Sequence, residues 1–523
     1  MENRILYTLQ NYILTLIFCM AIFIPFSISF LNVDKEISSI EKRPLAKRPT
    51  LPSNINDIKN FPTSFNSYYA DHFGLRDWLA YYYKLIKYNL GDSPSKDVII
   101  GKDGWLFLGS IQKGYQKYSD PIGDARNINL YTQQELQQFA AYINNLSAWM
   151  HAQGLEYIFI IAPNKHTIYF EQLPDYITKA NKYSATDQLI NYLKKHTEVP
   201  IVDVRASLIQ AKQKHILYYK TDTHWNEYAG NIAQYKIIQT IEKLFPERIH
   251  AELFKLHDKA RGGGDLGNFI GIYNFSELSS HPIFNKSCTP QKYPADAEGG
   301  TTHSYTCDNQ SLKAVIFRDS FFKALKPYFS RKFKHSTYIW KKLNYPDLVN
   351  YIALDQPDII IEEWVERTLP YVPPVINEFN YPLNKKLFKQ SKQYIFANEW
   401  KKLSYQQHLA LTEKKHDAIQ LTATDNDPII NFVALPLEPG SEYIVHIVMT
   451  SSIRSTLQLF YSDANTKNPA FSEEKSLRYQ IIQGKNDIYL HLSDVNIGKY
   501  LRLDPITKAG HISFKTIEIK KIN

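Results

Sequence analysis

The feature that most constrains the fold is an apolar run near the amino terminus. No residue from Tyr12 to Leu31 carries a formal charge, and the nearest charged residues on either side are Arg4 and Asp34. This length suits a helix that crosses a bilayer, and it exceeds the apolar core of most cleaved signal peptides. We therefore expect residues 1–33 to anchor the chain in a membrane, with a cleaved signal peptide as the alternative.

The cysteines predict the compartment of the remaining chain. Cys19 lies within the apolar run, whereas Cys288 and Cys307 stand in a polar stretch that is unlikely to form a core by itself. A disulfide between the latter two would stabilise this loop by about 3 kcal/mol and would place it in an oxidising compartment. We expect this disulfide and a location of the domain outside the cytoplasm; two unrelated free thiols are the alternative.

The net charge of +9 is spread along the chain without a long basic block. It permits attraction to an anionic glycan or membrane surface. It does not argue for nucleic acid as a partner, because no basic stripe interleaved with aromatic residues is present.

The length of 523 residues predicts two or three domains. Prolines in residues 34–60 indicate a linker after the anchor. Residues 61–390 have the pattern of an α/β domain. Residues 391–523 contain short β-rich runs separated by turn signals, which predict a separate all-β sandwich. Its role is either to bind carbohydrate or to serve as a structural appendage.

Four short apolar segments alternate with helical segments in the α/β region. This alternation favours a layered domain around a parallel sheet, in which functional residues gather at the carboxyl ends of the strands. The four predicted strands are Tyr157–Ala162, Pro200–Val204, Ala314–Phe317 and Asp358–Ile361.

Two motifs suggest nucleophilic catalysis. Asp222 and His224 precede a helical segment from Glu227 to Phe245, and Ser320 follows a predicted strand. A carboxylate that orients a histidine, and a hydroxyl that the histidine deprotonates, form a hydrolytic triad. The alternatives are a helix-capping role for Ser320 and a structural role for His224.

Three further residues are candidates for binding a sugar or an oxyanion: Asn164, Lys165 and Tyr338. Asn164 and Lys165 follow the first predicted strand and carry hydrogen-bond donors. The glycines from Gly262 to Gly267 predict a turn where backbone approaches closely. We expect no metal, because no His or Cys lies at zinc-like spacing from His224.

The sequence Asp-Thr-His-Trp-Asn at 222–226, followed by Asp-Ser-Phe at 319–321, resembles the alginate O-acetyltransferase family with an SGNH-hydrolase-like domain (AlgJ/AlgX type). Other stretches that resemble this family, in order along the chain, are Glu41–Pro44, Asp71–Arg76, Gly101–Phe107, Ala162–Lys165 with Tyr169, Leu173-Pro174, Gly264–Leu266 and Glu366-Arg367.

The resemblance implies a periplasmic enzyme that moves acetyl groups onto hydroxyls of an exported polysaccharide. It implies Asp222 as the acid, His224 as the base and Ser320 as the nucleophile. It also implies that a multi-spanning membrane acyltransferase supplies the acetyl group, so that no cofactor is needed. One departure is Arg318, which stands where SGNH enzymes carry a glycine before Asp-Ser.

Two other functions fit the same residues. A carbohydrate acetylesterase would use the same triad and acyl-enzyme, with water as the acceptor instead of sugar. A non-catalytic glycan-binding scaffold for an export complex would fit the β-rich region equally well, although the intact Asp-His-Ser set speaks against it.

Overall fold

The computed structural model of the chain describes residues 2–29, 36–38, 44–110, 120–284, 288–294, 302–374, 376–406, 408–415, 418–464 and 471–522. Glu41, Lys42 and Arg43 of the first family-like stretch lie outside these residues.

The amino-terminal part consists of three helices and a short hairpin: α1 Glu2–Ser29, α2 Ile55–His72, α3 Arg76–Asn89, β1 Val98–Ile100 and β2 Leu106–Leu108. Within α1, the segment Tyr7–Ile28 has a mean hydropathy of 2.0 and is long and apolar enough to cross a membrane or to act as a signal sequence. The helix α2 begins at Ile55, within the predicted linker of residues 34–60. The side chain of Asn54 caps this helix by accepting a hydrogen bond from the backbone N–H of Asp57.

The middle of the chain alternates helices with strands. Its helices are α4 Pro121–Ala125, α5 Gln133–Ala152, α6 Lys165–Ile168, α7 Ala185–His196, α8 Arg205–Ala211, α9 Glu227–Leu244, α10 Asp265–Phe269, α11 Lys326–Lys332, α12 Tyr345–Asp355 and α13 Tyr381–Gln390. Its strands are β3 Glu156–Ala162, β4 Ile201–Asp203, β5 Lys255–Gly262, β6 Ser276–Ile283, β7 Gln291–Pro294, β8 His303–Thr306, β9 Lys313–Phe317, β10 His335–Ile339 and β11 Ile359–Val365.

A seven-stranded sheet organises this region, in the order β4-β3-β11-β9-β10-β8-β7. The first five strands are parallel, whereas β8 pairs antiparallel with β10 and β7 pairs antiparallel with β8. The predicted parallel sheet with layered helices is therefore confirmed, and the four predicted strands lie side by side. Sequence alone did not indicate β10 or the antiparallel edge. Apolar cores cover both faces of the sheet.

The carboxyl ends of three neighbouring strands create the site. Ala162 of β3 pairs with Val365 of β11, and Phe317 of β9 pairs with Glu362 of β11. The residues that follow these strands are Asn164, Arg367 and Ser320. Because the strands are parallel, all three residues emerge at the same edge of the sheet.

The carboxyl-terminal part is rich in strands: β12 Gln393–Ala397, β13 Leu403–Gln406, β14 Leu409–Lys415, β15 Ala418–Ala423, β16 Ile429–Phe432, β17 Tyr443–Ser451, β18 Ser455–Asp463, β19 Ser476–Ile481, β20 Gly484–Leu492, β21 Ile497–Asp504 and β22 Gly510–Lys521. They form one sheet in the order β14-β15-β22-β17-β20, with β12 paired to β22, and another in the order β13-β16-β21-β18-β19. Side chains from both sheets share one apolar core, which is the arrangement of a two-sheet sandwich.

Candidate active site

Ser320 lies at the start of a short helical turn directly after β9. The preceding Asp319 holds this turn through both carboxylate oxygens. Its Oδ1 accepts from the backbone N–H of Phe321 at 2.8 Å, and its Oδ2 accepts from the backbone N–H of Val365 at 2.8 Å. These bonds tie the turn to the end of β11 and fix the direction in which the serine hydroxyl points.

The loop before α9 brings Asp222 and His224 to this serine. His224 Nε2 lies 2.8 Å from Ser320 Oγ, and His224 Nδ1 lies 2.7 Å from Asp222 Oδ1. Asp222 Oδ1 also accepts from the backbone N–H of His224 at 3.0 Å. The side chain of Asn226 ends the loop by capping α9. The three predicted triad residues therefore form one hydrogen-bonded chain.

The direction of these hydrogen bonds follows from the charge of Asp222. Burial alone would raise the pKa of Asp222, but hydrogen bonding to His224 and the nearby positive charge of Arg261 outweigh it and hold this pKa well below its usual range. An ionised carboxylate only accepts hydrogen bonds, so His224 Nδ1 carries the proton. The lone pair of Nε2 is then free to accept the Ser320 proton, as a general base requires.

Arg261 is a site residue that the sequence did not reveal. Its Nη2 lies 3.1 Å from Asp222 Oδ2, and its guanidinium stacks on the ring of Tyr219 at 3.9 Å. Asp222 is thus held from both sides, by His224 on one oxygen and by Arg261 on the other. The run Arg261–Gly264 suggested only a turn, because nothing in it indicates which carboxylate the arginine meets.

Asp265 adds a second carboxylate beside the imidazole. Its Oδ2 lies 3.7 Å from His224 Nδ1. Asp265 Oδ1 accepts from the backbone N–H of Thr223 at 2.8 Å, and Oδ2 accepts from the Thr223 hydroxyl at 2.6 Å. Ligand atoms of Asp222, His224 and Asp265 all lie within 4.8 Å of one another, close enough to hold a metal ion. In this arrangement, however, hydrogen-bond donors already use both carboxylates, and the Arg261 cation lies against Asp222.

Gly264 allows the backbone to pass directly against the acid. A Cβ atom at this position would lie 2.3 Å from Asp222 Cβ and 2.6 Å from Asp222 Oδ2. Any side chain would therefore displace the carboxylate that orients His224. This is the close backbone approach that the glycine run predicted.

The structure corrects the predicted role of Lys165. Its Nζ donates to the backbone carbonyls of Leu106, Lys220 and Asp222 at 2.6, 2.8 and 3.1 Å, and it is 2% exposed. Three hydrogen bonds use all three protons of an ammonium group, so none remains for a sugar or an oxyanion. Burial lowers the pKa of Lys165 to about 7. Lys165 instead fastens the triad loop to the hairpin strand β2.

Asn164 keeps the geometry of a donor. It is 2% exposed, and its Nδ2 has no hydrogen-bond partner within the described residues. Its Oδ1 accepts from Arg367 at 3.3 Å, and its backbone N–H donates to Glu366. Because Arg367 fixes the oxygen end of the amide, the nitrogen end is left as a buried, unused donor. Arg367 also lies over the ring of Phe321, 5.1 Å from its centroid.

Tyr338 and Arg318 take structural positions. Tyr338 is fully buried on β10, packed against Phe322 and Tyr305, and no hydrogen bond joins it to the triad in the part of the chain that the structure describes. Its predicted oxyanion role is not supported, because the residue points into the core. Arg318, which replaces the usual glycine, stacks on Trp340 at 4.4 Å.

The predicted disulfide is confirmed. Cys288 and Cys307 form a disulfide with a Cα–Cα distance of 6.0 Å. It joins the segment before β7 to the end of β8, at the antiparallel edge of the sheet, and Cys19 remains a free thiol within α1.

Comparison with known proteins places the centre of the chain in a defined class. Residues 98–317 match the family described as the SGNH hydrolase-like domain of the acetyltransferase AlgX. This segment contains Asp222 and His224 and ends at Phe317, three residues before Ser320. This segment of the chain is therefore similar to an SGNH hydrolase-like domain.

Two relatives and one solved structure are also similar to this chain. The chain is 26% identical over 249 residues to the probable alginate O-acetylase AlgJ of Pseudomonas putida, covering 46% of this chain and 58% of that protein. It is 22% identical over 335 residues to the AlgJ of Pseudomonas aeruginosa, covering 59% and 79%. The O-acetyltransferase domain of Pseudomonas putida AlgJ has a TM-score of 0.35 and 18% identity, covering 53% and 94%. The chain thus spans less than two thirds of the first relative, and the resemblance to the alginate O-acetylase family is confirmed.

Proposed function

We propose that this protein transfers acetyl groups onto hydroxyls of an exported cell-surface polysaccharide through an acetyl-Ser320 intermediate. The observation that carries the proposal is the continuous chain from Asp222 through His224 to Ser320, with distances of 2.7 and 2.8 Å. A helix-capping serine or a structural histidine would not require this alignment. The resemblance to the alginate O-acetylase family supports acetylation as the chemistry and a polysaccharide as the substrate.

In the first half-reaction, Ser320 Oγ attacks the carbonyl carbon of the donor's acetyl ester while His224 Nε2 takes the hydroxyl proton. The ester C–O bond of the donor breaks, and His224 returns the proton to the departing oxygen. In the second half-reaction, a sugar hydroxyl attacks the acetyl-serine and gives its proton to His224. The Oγ–carbon bond then breaks, and the proton returns to Ser320.

The negative charge that develops on the carbonyl oxygen needs donors that are already in place. We assign the Nδ2 of Asn164 and the backbone N–H of Ser320 to this role. Asn164 is supported by its buried and unused amide nitrogen, which Arg367 orients from the other end. The positive charge of Arg367 above Phe321 would further stabilise the oxyanion.

The cellular setting belongs to the same proposal. The apolar helix α1 would anchor the enzyme in the inner membrane, and the disulfide fits a periplasmic catalytic domain. A multi-spanning membrane acyltransferase would bring the acetyl group across the membrane, so that the enzyme needs no cofactor of its own. The carboxyl-terminal sandwich from about residue 391 onward would hold the polysaccharide near the triad.

The test compares the native protein with Ser320→Ala, using a chromogenic acetyl ester with and without acceptor oligosaccharides. The transferase predicts ester cleavage and acetylated sugar from the native protein and neither from the variant. The matched control is Thr424→Ala, which removes one side-chain hydroxyl from the sandwich. This variant should behave like the native protein.

The other outcomes distinguish the competing functions. Serine-dependent cleavage with no sugar product over a range of acceptors would favour an acetylesterase. Equal rates for the native protein and Ser320→Ala would contradict the triad and would favour the scaffold.

A further inference from the structure

The helices α2 and α3 expose an aromatic surface that the catalytic proposal does not use. No residue of either helix, both of which are fully described, is buried. On α2, Phe65 and Tyr69 are 45% and 42% exposed, and on α3, Trp78 and Tyr83 are 56% and 62% exposed. Exposed aromatic side chains at this density mark an interaction surface, because water solvates them poorly.

The aromatic side chains form ordered rows along the helices. On α2, Phe61, Phe65 and Tyr69 follow one another at four-residue spacing, with ring centroids 5.9 and 6.3 Å apart. On α3, Trp78 stacks on Tyr82 at 4.3 Å. Four-residue spacing places side chains on one face of a helix, so each helix carries a continuous apolar stripe.

The other face of α3 is already fastened to the protein. The hydroxyl of Tyr81 accepts from Asn274 at 3.0 Å, and Tyr88 packs edge-on against Phe275 at 5.6 Å. The exposed stripe of Trp78, Leu79, Tyr82, Tyr83 and Ile86 lies around the helix from these contacts. These contacts fix the rotation of α3 about its axis, so the stripe remains on the exposed face of the helix.

The position of the two helices in the chain indicates what covers the stripe. Only residues 30–54 separate α2 from the apolar helix α1. The tether is shorter still, because the backbone N–H of Ala46 donates to Asp71 of α2 at 2.8 Å. If α1 spans the membrane, the pair of helices is held beside the bilayer surface from which α1 emerges.

We propose that α2 and α3 form an interfacial hairpin that lies on this bilayer, with the aromatic stripe among the lipid headgroups. Tyr and Trp favour this layer, since it solvates both an apolar ring and a polar tip. The two helices carry four basic and three acidic residues, so the aromatic stripe, and not net charge, provides the attraction to the bilayer. The bilayer is a better occupant than a soluble protein because the tether keeps the hairpin close to it. This proposal goes beyond the acetyl transfer and rests on α1 as the anchor.

The experiment measures whether Trp78 reaches the lipid. The full chain is reconstituted into phosphatidylcholine–phosphatidylglycerol vesicles with and without bromine on the acyl chains, and tryptophan emission is compared, since bromine quenches indole only at short range. The native protein should be quenched, and Trp78→Phe should lose most of the quenching. The α1 helix contains no Trp, so it adds no signal. Trp340→Phe, which removes a Trp of similar exposure, 48%, should be quenched like the native protein.

A charged double variant, Tyr83→Asp with Ile86→Asp, tests the stripe as a whole. Both side chains are exposed, so folding should be unaffected while Trp78 quenching is lost. Equal quenching of native protein and Trp78→Phe, in protein that stays with the vesicles after an alkaline wash, would overturn the hairpin and leave the anchor standing. Release of the protein by that wash would instead refute the anchor on which the proposal rests.

Discussion

Two regions of this molecule contain an aspartate paired with a histidine, but their surroundings differ. In the SGNH-like domain, Asp222 lies 2.7 Å from His224. In the sandwich, Asp487 lies 2.8 Å from His446. The second nitrogen of His224 meets the hydroxyl of Ser320, whereas the second nitrogen of His446 faces Glu518 at 3.5 Å. An Asp-His pair alone therefore does not indicate catalysis. The group that contacts the second imidazole nitrogen decides whether the histidine can activate a nucleophile.

The neighbours of the sandwich pair explain its role. His446 stacks on Tyr489 at 4.2 Å and packs against Phe388 of α13. Asp487 also accepts from the hydroxyl of Tyr381 at 2.7 Å. These contacts fasten the helix α13 to the sandwich. His446 thus stabilises the packing of α13 on the sandwich. Matched substitutions in the two pairs can therefore separate a catalytic effect from a structural one.

The largest difference is expected when the histidines are changed. His224→Gln should lower the rate of acetyl-ester cleavage by about 10⁶-fold, because no base remains to deprotonate Ser320. His446→Gln should leave this rate unchanged. Initial rates at saturating ester measure both. A comparable loss in the two variants would show that the His224 effect is structural and would break the comparison.

Changing the acids should have a smaller effect. Asp222→Asn should lower the rate by about 10⁴-fold, because an amide no longer fixes the proton on His224 Nδ1. Asp487→Asn should retain the native rate. Kinetics of both variants over pH 6–9 provide the check, and a native rate for Asp222→Asn would remove the carboxylate from the triad.

The oxyanion donor should rank third. Asn164→Ala should lower kcat by about 10²-fold with little change in KM, because the lost hydrogen bond forms only as charge develops. Asn231→Ala, which removes a buried amide from α9 away from the strand ends, should show no loss of kcat beyond any change in the amount of folded protein. A rise in KM at constant kcat for Asn164→Ala would instead assign the residue to substrate binding.

The smallest effect concerns the stability of the sandwich and its pH dependence. Burial would raise the pKa of Asp487, but hydrogen bonds from His446 and Tyr381 lower it overall. A lowered carboxyl pKa stabilises the folded state above the ordinary value of about 3.9 and ceases to do so as the pH falls. Asp487→Asn should therefore lose about 1 kcal/mol of unfolding free energy at pH 7, allowing for solvent screening, and much less near pH 3.

Urea unfolding of the native protein and Asp487→Asn at both pH values measures this effect. A difference that is the same at pH 3 and pH 7 would mean that packing, not charge, carries the contribution of Asp487.

The sequence predicted the parts of the site that depend on local pattern. The Asp-x-His loop before a helix and the Asp-Ser pair after a strand could be recognised because spacing and strand ends are local features. Arg261 could not be recognised, because its contact with Asp222 depends on how β5 folds back to the loop. Lys165 was located correctly but assigned the wrong contacts, since the carbonyls that surround it come from two segments distant in sequence, β2 and the loop that carries Asp222.

The same distinction applies to the fold. The strands β3, β4 and β9 were predicted within a residue or two, because each is a short apolar run. The strand β10, His335–Ile339, carries polar residues whose hydroxyls are buried by neighbouring strands, such as Thr337 against Ser304 at 2.8 Å. Such a strand is identified only when its partners are known.

Gly264 gives a practical rule for reading other chains. Its backbone occupies the space where a side chain would collide with the Asp222 carboxylate, so the orientation of Asp222 depends on a residue that performs no chemistry. When genomes are searched for active enzymes of this type, a glycine at this position should be required together with the triad. A chain that keeps Asp, His and Ser but carries a larger residue there would be expected to have lost catalysis while retaining every recognisable catalytic group.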